Sequence, residues 1–327
     1  MVSWRARSCC CELHMTLDPD TATFLDQFGA MALSAVPSLD DEAGLAVLFE
    51  GLASGGGSNL LEGEPPPVAR VEDRTVPAAG GEVPVRIYRP GGTNLPLVVF
   101  FHGGVFVLGD LEMHDPVLRR LANAIPAVIV SVDYRLAPAH AFPAAFDDSF
   151  AVVTWAAKEA ESFGADPQRV VVMGDSAGGA LAGVAAIRAR DEGSPRVALQ
   201  VLVYPMIDPA LETGSASEFA EGYLTTTTFL QLGWHVYLGR NKGEPYTSPS
   251  AMSDLRGLPP AIVVTAGYDP LRDEGLDYIE RLRDAGVAVT ARHYPDQIHG
   301  YAFMPGVIPA ANDAITDIAA LIRVELR

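Results

Sequence analysis

Uninterrupted apolar runs, more than alternating ones, pattern this chain. They recur at Val83–Tyr88, Leu97–Phe101, Val128–Val132, Val170–Met173, Val197–Val203 and Ala261–Thr265. Most are continuously apolar, the pattern that a strand buried on both faces of a parallel sheet requires. Stretches of helical spacing lie between and after them, predicted at Asp115–Asn123, Asp147–Ser162, Ala177–Arg190, Asp273–Ala285 and Pro309–Arg323. This βαβ alternation predicts an α/β fold with helices flanking a mostly parallel sheet. A further strand-like run, Val289–Tyr294, precedes the last helix.

Two segments break the alternation, residues 16 to about 60 and about 208 to 250. The first reads as amphipathic helices over Thr21–Leu33 and Asp40–Ala53, ending at Gly55-Gly56-Gly57, with Pro65-Pro66-Pro67 stiffening the link to the core. The second predicts a helix over Thr225–Gly239, rich in Phe229, Leu232, Trp234, Val236, Tyr237 and Leu238. No internal repeat is apparent, and 327 residues at 49% hydrophobic suffice for one large core with an added lid.

The chemistry concentrates where apolar runs end. Gly174-Asp175-Ser176-Ala177-Gly178-Gly179 follows one run and opens a helical stretch. Strand, Gly-flanked turn, then helix is the order a nucleophile elbow needs, because small neighbours let a strained serine stand clear of the backbone. The first amides of the helix, beginning with Ala177 N–H, then face the carbonyl that Ser176 would attack. A second turn, His102-Gly103-Gly104, ends the run Leu97–Phe101 and supplies the other half of an oxyanion hole.

A serine hydroxyl needs a base, and the base needs an orienting group. Asp269 follows the run Ala261–Thr265, and His299 follows the last strand-like segment beside Gly300. The chain order Ser176, Asp269, His299 is that of the α/β-hydrolases. Asp208, after the preceding run, competes for the acid position. Asp296 is near His299, although Pro295-Asp296 reads as a turn pair. His293, inside a strand-like run, reads as structural, and His102 reads as a hydrogen-bonding brace of its loop.

These segments resemble the hormone-sensitive lipase family of α/β-hydrolase esterases, also called bacterial family IV. The resemblance runs from about Leu97 to Phe303 through His102–Asp110, Val132-Asp133-Tyr134-Arg135-Leu136-Ala137-Pro138, Gly174–Gly179, Asp269-Pro270-Leu271-Arg272-Asp273-Glu274-Gly275 and His299-Gly300. It implies an α/β-hydrolase fold with a helical cap, divided as residues 1–60 (N-terminal segment and part of the cap), 61–207 (first part of the core), 208–250 (cap insertion) and 251–327 (second part of the core). It implies a serine carboxylesterase acting on short- to medium-chain acyl esters: Ser176 the nucleophile, His299 the general base and acid, Asp269 its orienter. Gly103, Gly104 and Ala177 form the oxyanion hole, and His102, Val105 and Asp175 support the loop and pocket. Amide, formamide or lactone hydrolysis on the same triad is an alternative. A non-catalytic ligand-binding role is another; it is disfavoured because the related gibberellin receptors lack the histidine present here as His299.

The chain departs from the family at two positions. Val105 stands where a third Gly is usual. In an ordinary backbone conformation it would narrow the pocket, and Val105→Gly would improve turnover of bulky-alcohol esters; at positive φ it would force the loop to shift. Ala139 replaces the Glu that usually continues the Tyr-Arg-Leu-Ala-Pro motif.

Composition narrows the partners. A net charge of −18, with Lys158 and Lys242 the only lysines, argues against nucleic acid. The three cysteines, Cys9, Cys10 and Cys11, are adjacent, which suits neither a core disulfide nor a metal site. They precede Met15, and residues 1–14 read as a possible vector-derived extension or early start, without a signal-peptide core. No metal or cofactor motif is present. The expectation is a cytoplasmic enzyme with no membrane partner, acting on small-molecule esters. The family's habit of pairing at a sheet edge implies that Val289–Tyr294 is available to a homodimer.

Overall fold

The computed structural model describes residues 16–28, 44, 48 and 63–327. An eight-stranded sheet organises it: β1 Arg70–Ala78, β2 Gly81–Arg89, β3 Leu95–Phe101, β4 Val128–Val132, β5 Ala165–Asp175, β6 Leu199–Val203, β7 Ala261–Tyr268 and β8 Val289–Ile298. The spatial order is β1-β2-β4-β3-β5-β6-β7-β8. β1/β2 and β2/β4 pair antiparallel, and the remaining pairs are parallel.

The helices are α1 Pro19–Phe28, α2 Asp115–Ala124, α3 Ala144–Glu159, α4 Ala177–Glu192, α5 Gly214–Glu218, α6 Thr227–Leu238, α7 Arg272–Asp284 and α8 Ala310–Glu325. Strand alternation assigns the two faces. Leu97, Val99 and Phe101 of β3 join the core beneath α3, α4, α6 and α7. Val98 and Phe100 join the core beneath α1, α2 and α8. The central strands are buried throughout because helices cover both sides, which is why their sequences read as unbroken apolar runs.

β1 has no such run. It is a mostly exposed edge strand carrying Glu72, Asp73 and Arg74, held to β2 by Arg86–Asp73 (2.7 Å) and Arg89–Glu72 (2.7 Å) ion pairs. Charges on an edge strand discourage pairing with another chain. α1 begins earlier than the Thr21–Leu33 prediction, because Asp18 Oδ1 accepts from Asp20 N (3.0 Å) and Thr21 N (2.9 Å), and residues 29–33 of that prediction lie outside the described residues. It docks through Thr21 Oγ1, which donates to Gln297 Oε1 at 2.8 Å. Of the second expected helix, Asp40–Ala53, only Gly44 and Leu48 are described, both helical; Gly55–Gly57 and Cys9–Cys11 lie outside the described residues. Pro295-Asp296, expected to be a turn, falls inside β8, where the pairing with β7 slips register between Ala266 and Tyr268.

After β3 the chain crosses towards β4 on one side, and after β5 it continues to β6 on the other. The carboxyl ends of β3 and β5 therefore flank a topological switch point, where open α/β sheets present a crevice. His102–Gly104 and Ser176 stand at these two ends.

Candidate active site

Ser176 occupies the single residue between β5 and α4 at φ 53° and ψ −118°. Its N–H donates to Val203 O (2.9 Å), and its carbonyl accepts from Met206 N (3.0 Å), so β6 and the loop after it clamp the turn. Close packing explains the flanking glycines: a Cβ on Gly174 would overlap the Gly178 carbonyl, and one on Gly178 would overlap Phe101 O.

Strand ends bring the other two groups to this serine. His299, one residue past β8, places Nε2 3.0 Å from Ser176 Oγ and Nδ1 2.8 Å from Asp269 Oδ2. Asp269, one residue past β7, is fully buried, and its Oδ1 accepts from Leu271 N at 2.8 Å. A carboxylate can only accept, so the ring proton sits on Nδ1 and Nε2 turns its lone pair to the serine hydroxyl. The rivals are engaged elsewhere: Asp208 Oδ1 accepts from Ala210 N (3.0 Å), and His293 Nδ1 pairs with Thr265 Oγ1 (2.9 Å) across β7 and β8.

The turn after β3 differs from expectation at two residues. Gly103 N–H, expected in the oxyanion hole, donates to Asp175 Oδ1 at 2.8 Å, and that oxygen also lies 3.1 Å from His114 Nε2. Gly103 thus ties the turn to the residue beside Ser176. Among the described residues, no protein acceptor takes the N–H of Gly104, Val105 or Ala177.

Val105 is not in an ordinary conformation. Gly104, Val105 and Phe106 have φ of 113°, 57° and 65° in succession, and Gly104 O accepts from Val107 N (3.0 Å) and Leu108 N (2.9 Å) to close the turn. Left-handed backbone costs roughly 1–2 kcal/mol for each non-glycine residue and is least tolerated by a β-branched one. The premise that Val105 merely narrows the pocket from an ordinary φ is therefore replaced by a strained turn that its surroundings must hold.

Those surroundings are aromatic. His102 stacks on Tyr134 (centroids 4.2 Å apart, planes at 13°), and Tyr134 Oη donates to His102 O at 2.7 Å. His102 Nδ1 lies 2.7 Å from Gly103 O, and burial pushes the imidazole down to about 4, keeping it neutral. At exposed Ala139 nothing reaches inward; the same loop is tied by Arg135, whose guanidinium donates twice to buried Asp148, Nε to Oδ2 and Nη2 to Oδ1, both at 2.8 Å.

Glu274 lies in the first turn of α7, as its position five residues after Asp269 predicts, but the partners that make it a supporting residue have no local signature in the sequence. Its Oε1 accepts from Ile207 N at 2.6 Å and Asp208 N at 3.4 Å, joining the acid-bearing loop to the loop after β6. Burial raises its carboxyl to about 8. A carboxyl raised in the folded state binds its proton more tightly there than when unfolded, so its contribution is complete below the ordinary value of 4.5 and is lost as pH rises through 8. Between pH 5 and 8.5 the parent should lose stability on the order of 3 kcal/mol from this group. Glu274→Gln should lose less over that range in denaturant unfolding, and parallel curves for parent and variant would refute the assignment.

The architecture and the serine elbow are those of α/β hydrolases. A family profile described as alpha/beta hydrolase fold matches residues 98–303. The chain is 43% identical over 256 residues to the carboxylesterase NlhH of Mycobacterium tuberculosis, covering 76% of this chain and 80% of that one. It is 32% identical to the ethyl acetate hydrolase of Pseudomonas putida, covering 95% of this chain and 100% of that one. A hyperthermophilic esterase from Pyrobaculum calidifontis superimposes with a TM-score of 0.82 at 41% identity, covering 95% and 99% of the two chains. The chain belongs to the α/β-hydrolase family of the hormone-sensitive lipase type, and it is a carboxylic ester hydrolase. No helix among the described residues is long and apolar enough to cross a membrane.

Proposed function

We propose that the chain hydrolyses short- to medium-chain acyl esters through a Ser176-His299-Asp269 triad and an acyl-enzyme. The observation that carries this reading is the continuous relay from Ser176 Oγ to His299 Nε2 (3.0 Å) and from Nδ1 to Asp269 (2.8 Å). His299 removes the hydroxyl proton as Ser176 Oγ bonds to the ester carbonyl carbon, and Asp269 stabilises the imidazolium. The free amides of Gly104, Val105 and Ala177 receive the oxyanion, a type of contact worth about 10²–10³ in kcat for each donor. His299 then gives its proton to the departing alkoxide. A water that it deprotonates releases the carboxylic acid and restores Ser176.

The name of the Pseudomonas putida relative, an ethyl acetate hydrolase, supports a short acyl group. Hydrolysis of aryl esters with C2 to C12 acyl chains tests the proposal. Turnover should be greatest on the short chains and fall by C12. A maximum at C12 would refute the chain-length reading, and no turnover on any ester, with cleavage of the matching anilides, would transfer the triad to amide chemistry.

A further inference from the structure

Val105 should not sit easily where it does. Its φ of 57° is left-handed, it is followed by Phe106 at 65°, and it belongs to the turn in which the N–H groups of Gly104 and Val105 have no protein acceptor among the described residues. Such a conformation persists only when neighbouring structure imposes it. The neighbour is α6, and the contact is complementary in shape. Gly233, buried on that helix, leaves open the space Val105 fills: a Cβ on Gly233 would overlap Val105 Cγ1 and lie 2.5 Å from Val105 O. Phe106 continues the contact, stacked on Tyr237 (3.9 Å between centroids, planes at 7°) and tilted against Trp234 (5.0 Å).

α6 is itself anchored at both ends. Thr226 Oγ1 caps its start by accepting from Phe229 N (3.1 Å), and Thr227 Oγ1 donates to Ala216 O (2.6 Å). At its end Tyr237 O accepts from Phe142 N (2.7 Å), and Asn241 Nδ2 donates to Phe142 O (3.1 Å). The helix is thus a fixed surface against which the turn is pressed.

We infer that α6 is a positioning element of the oxyanion turn: Val105, seated on Gly233, holds the amides of Gly104 and Val105 in the orientation that receives the oxyanion. This rests on the esterase mechanism proposed above. It makes Val105 and Gly233 a matched pair, in which the side chain supplies the contact that offsets its own unfavourable backbone.

The side-chain series at position 105 separates this role from simple narrowing of a pocket. Val105→Ala keeps a Cβ in left-handed backbone but loses the seat on Gly233. Val105→Gly loses the seat and the conflict together. For an aryl acetate, Val105→Ala should lower kcat about 10-fold with KM changed less than about 3-fold, and Val105→Gly should lose clearly less. Hydrogen exchange over residues 102–110 should be faster in the Ala variant than in the parent, a readout that does not depend on turnover. Gly233→Ala should lower kcat as well, and by a smaller factor in the Val105→Gly background than alone.

A kcat that changes monotonically from Val through Ala to Gly, with unaltered exchange, overturns the inference while parent hydrolysis leaves the esterase reading standing. If Gly233→Ala does not fold, the series at position 105 still decides. If the parent shows no hydrolysis dependent on Ser176, the mechanistic reading fails and takes this inference with it.

Discussion

Alanine at Ser176 lowers kcat for a short aryl ester by about 10⁵–10⁶-fold, alanine at His299 does the same, and the double variant is no slower than either single one. The non-additivity follows from the geometry. His299 Nε2 acts only on the Ser176 hydroxyl 3.0 Å away, so once the hydroxyl is gone the base has no proton to remove. Asp269→Asn retains the shape but offers an amide N–H towards His299 Nδ1, which favours the wrong tautomer, and about 10⁴ in kcat should be lost. The residue of activity comes from substrate binding and the turn amides, neither of which these changes touch. Steady-state kinetics at matched protein concentration measures all four proteins. A double variant slower than both singles by a further factor of 10⁴ would show Ser176 and His299 acting independently and would remove the triad.

Loss of Arg135 should be the largest effect on stability away from the reacting groups. Asp148 is 1% exposed at its side chain and takes three donors from this one residue: the N–H at 3.1 Å and two guanidinium nitrogens at 2.8 Å. The guanidinium lies across the β1–β2 turn, where a Cβ on Gly80 would overlap it. Arg135→Ala leaves a buried carboxylate without its counter-ion, and breaking such a pair costs about 3–5 kcal/mol. For a domain of this size that corresponds to a fall in Tm of about 4–7 °C. Adding Asp148→Asn removes the stranded charge, so the double variant should melt above the Arg135→Ala single. Calorimetry decides, and a double variant no more stable than the single would mean that packing of the arginine, rather than its charge, is what matters.

The parts of the fold and site that the sequence revealed share a physical cause. Strands buried on both faces must be apolar throughout, so β3 to β7 were visible as runs. The elbow was visible because only glycine fits where Gly174 and Gly178 meet Phe101 O. β1 was hidden because an antiparallel edge strand is stabilised by cross-strand ion pairs that leave no apolar pattern. The bond from Gly103 N–H to Asp175 spans 72 residues and has no local signature. The contact of Val105 with Gly233 was equally hidden. A glycine in the middle of a predicted helix reads as a weak helix position until the partner that occupies its missing side chain is known. His114 beside Asp175, Tyr134 against His102, and Glu274 on the loop after β6 are further contacts that exist only once distant strands align.

The acid and the base of the reacting centre arrive late in the chain, well after the serine. Ser176 and His299 are separated by 123 positions, and the histidine lies just beyond the outermost strand. Contacts so distant in sequence form only after the intervening chain has collapsed and its loop-closure entropy has been met. A nascent or refolding chain can therefore complete the elbow on β5 and still be inert. Enzymatic activity regained during refolding requires β8 to be docked on β7, and during synthesis the nucleophile is made well before the base that activates it.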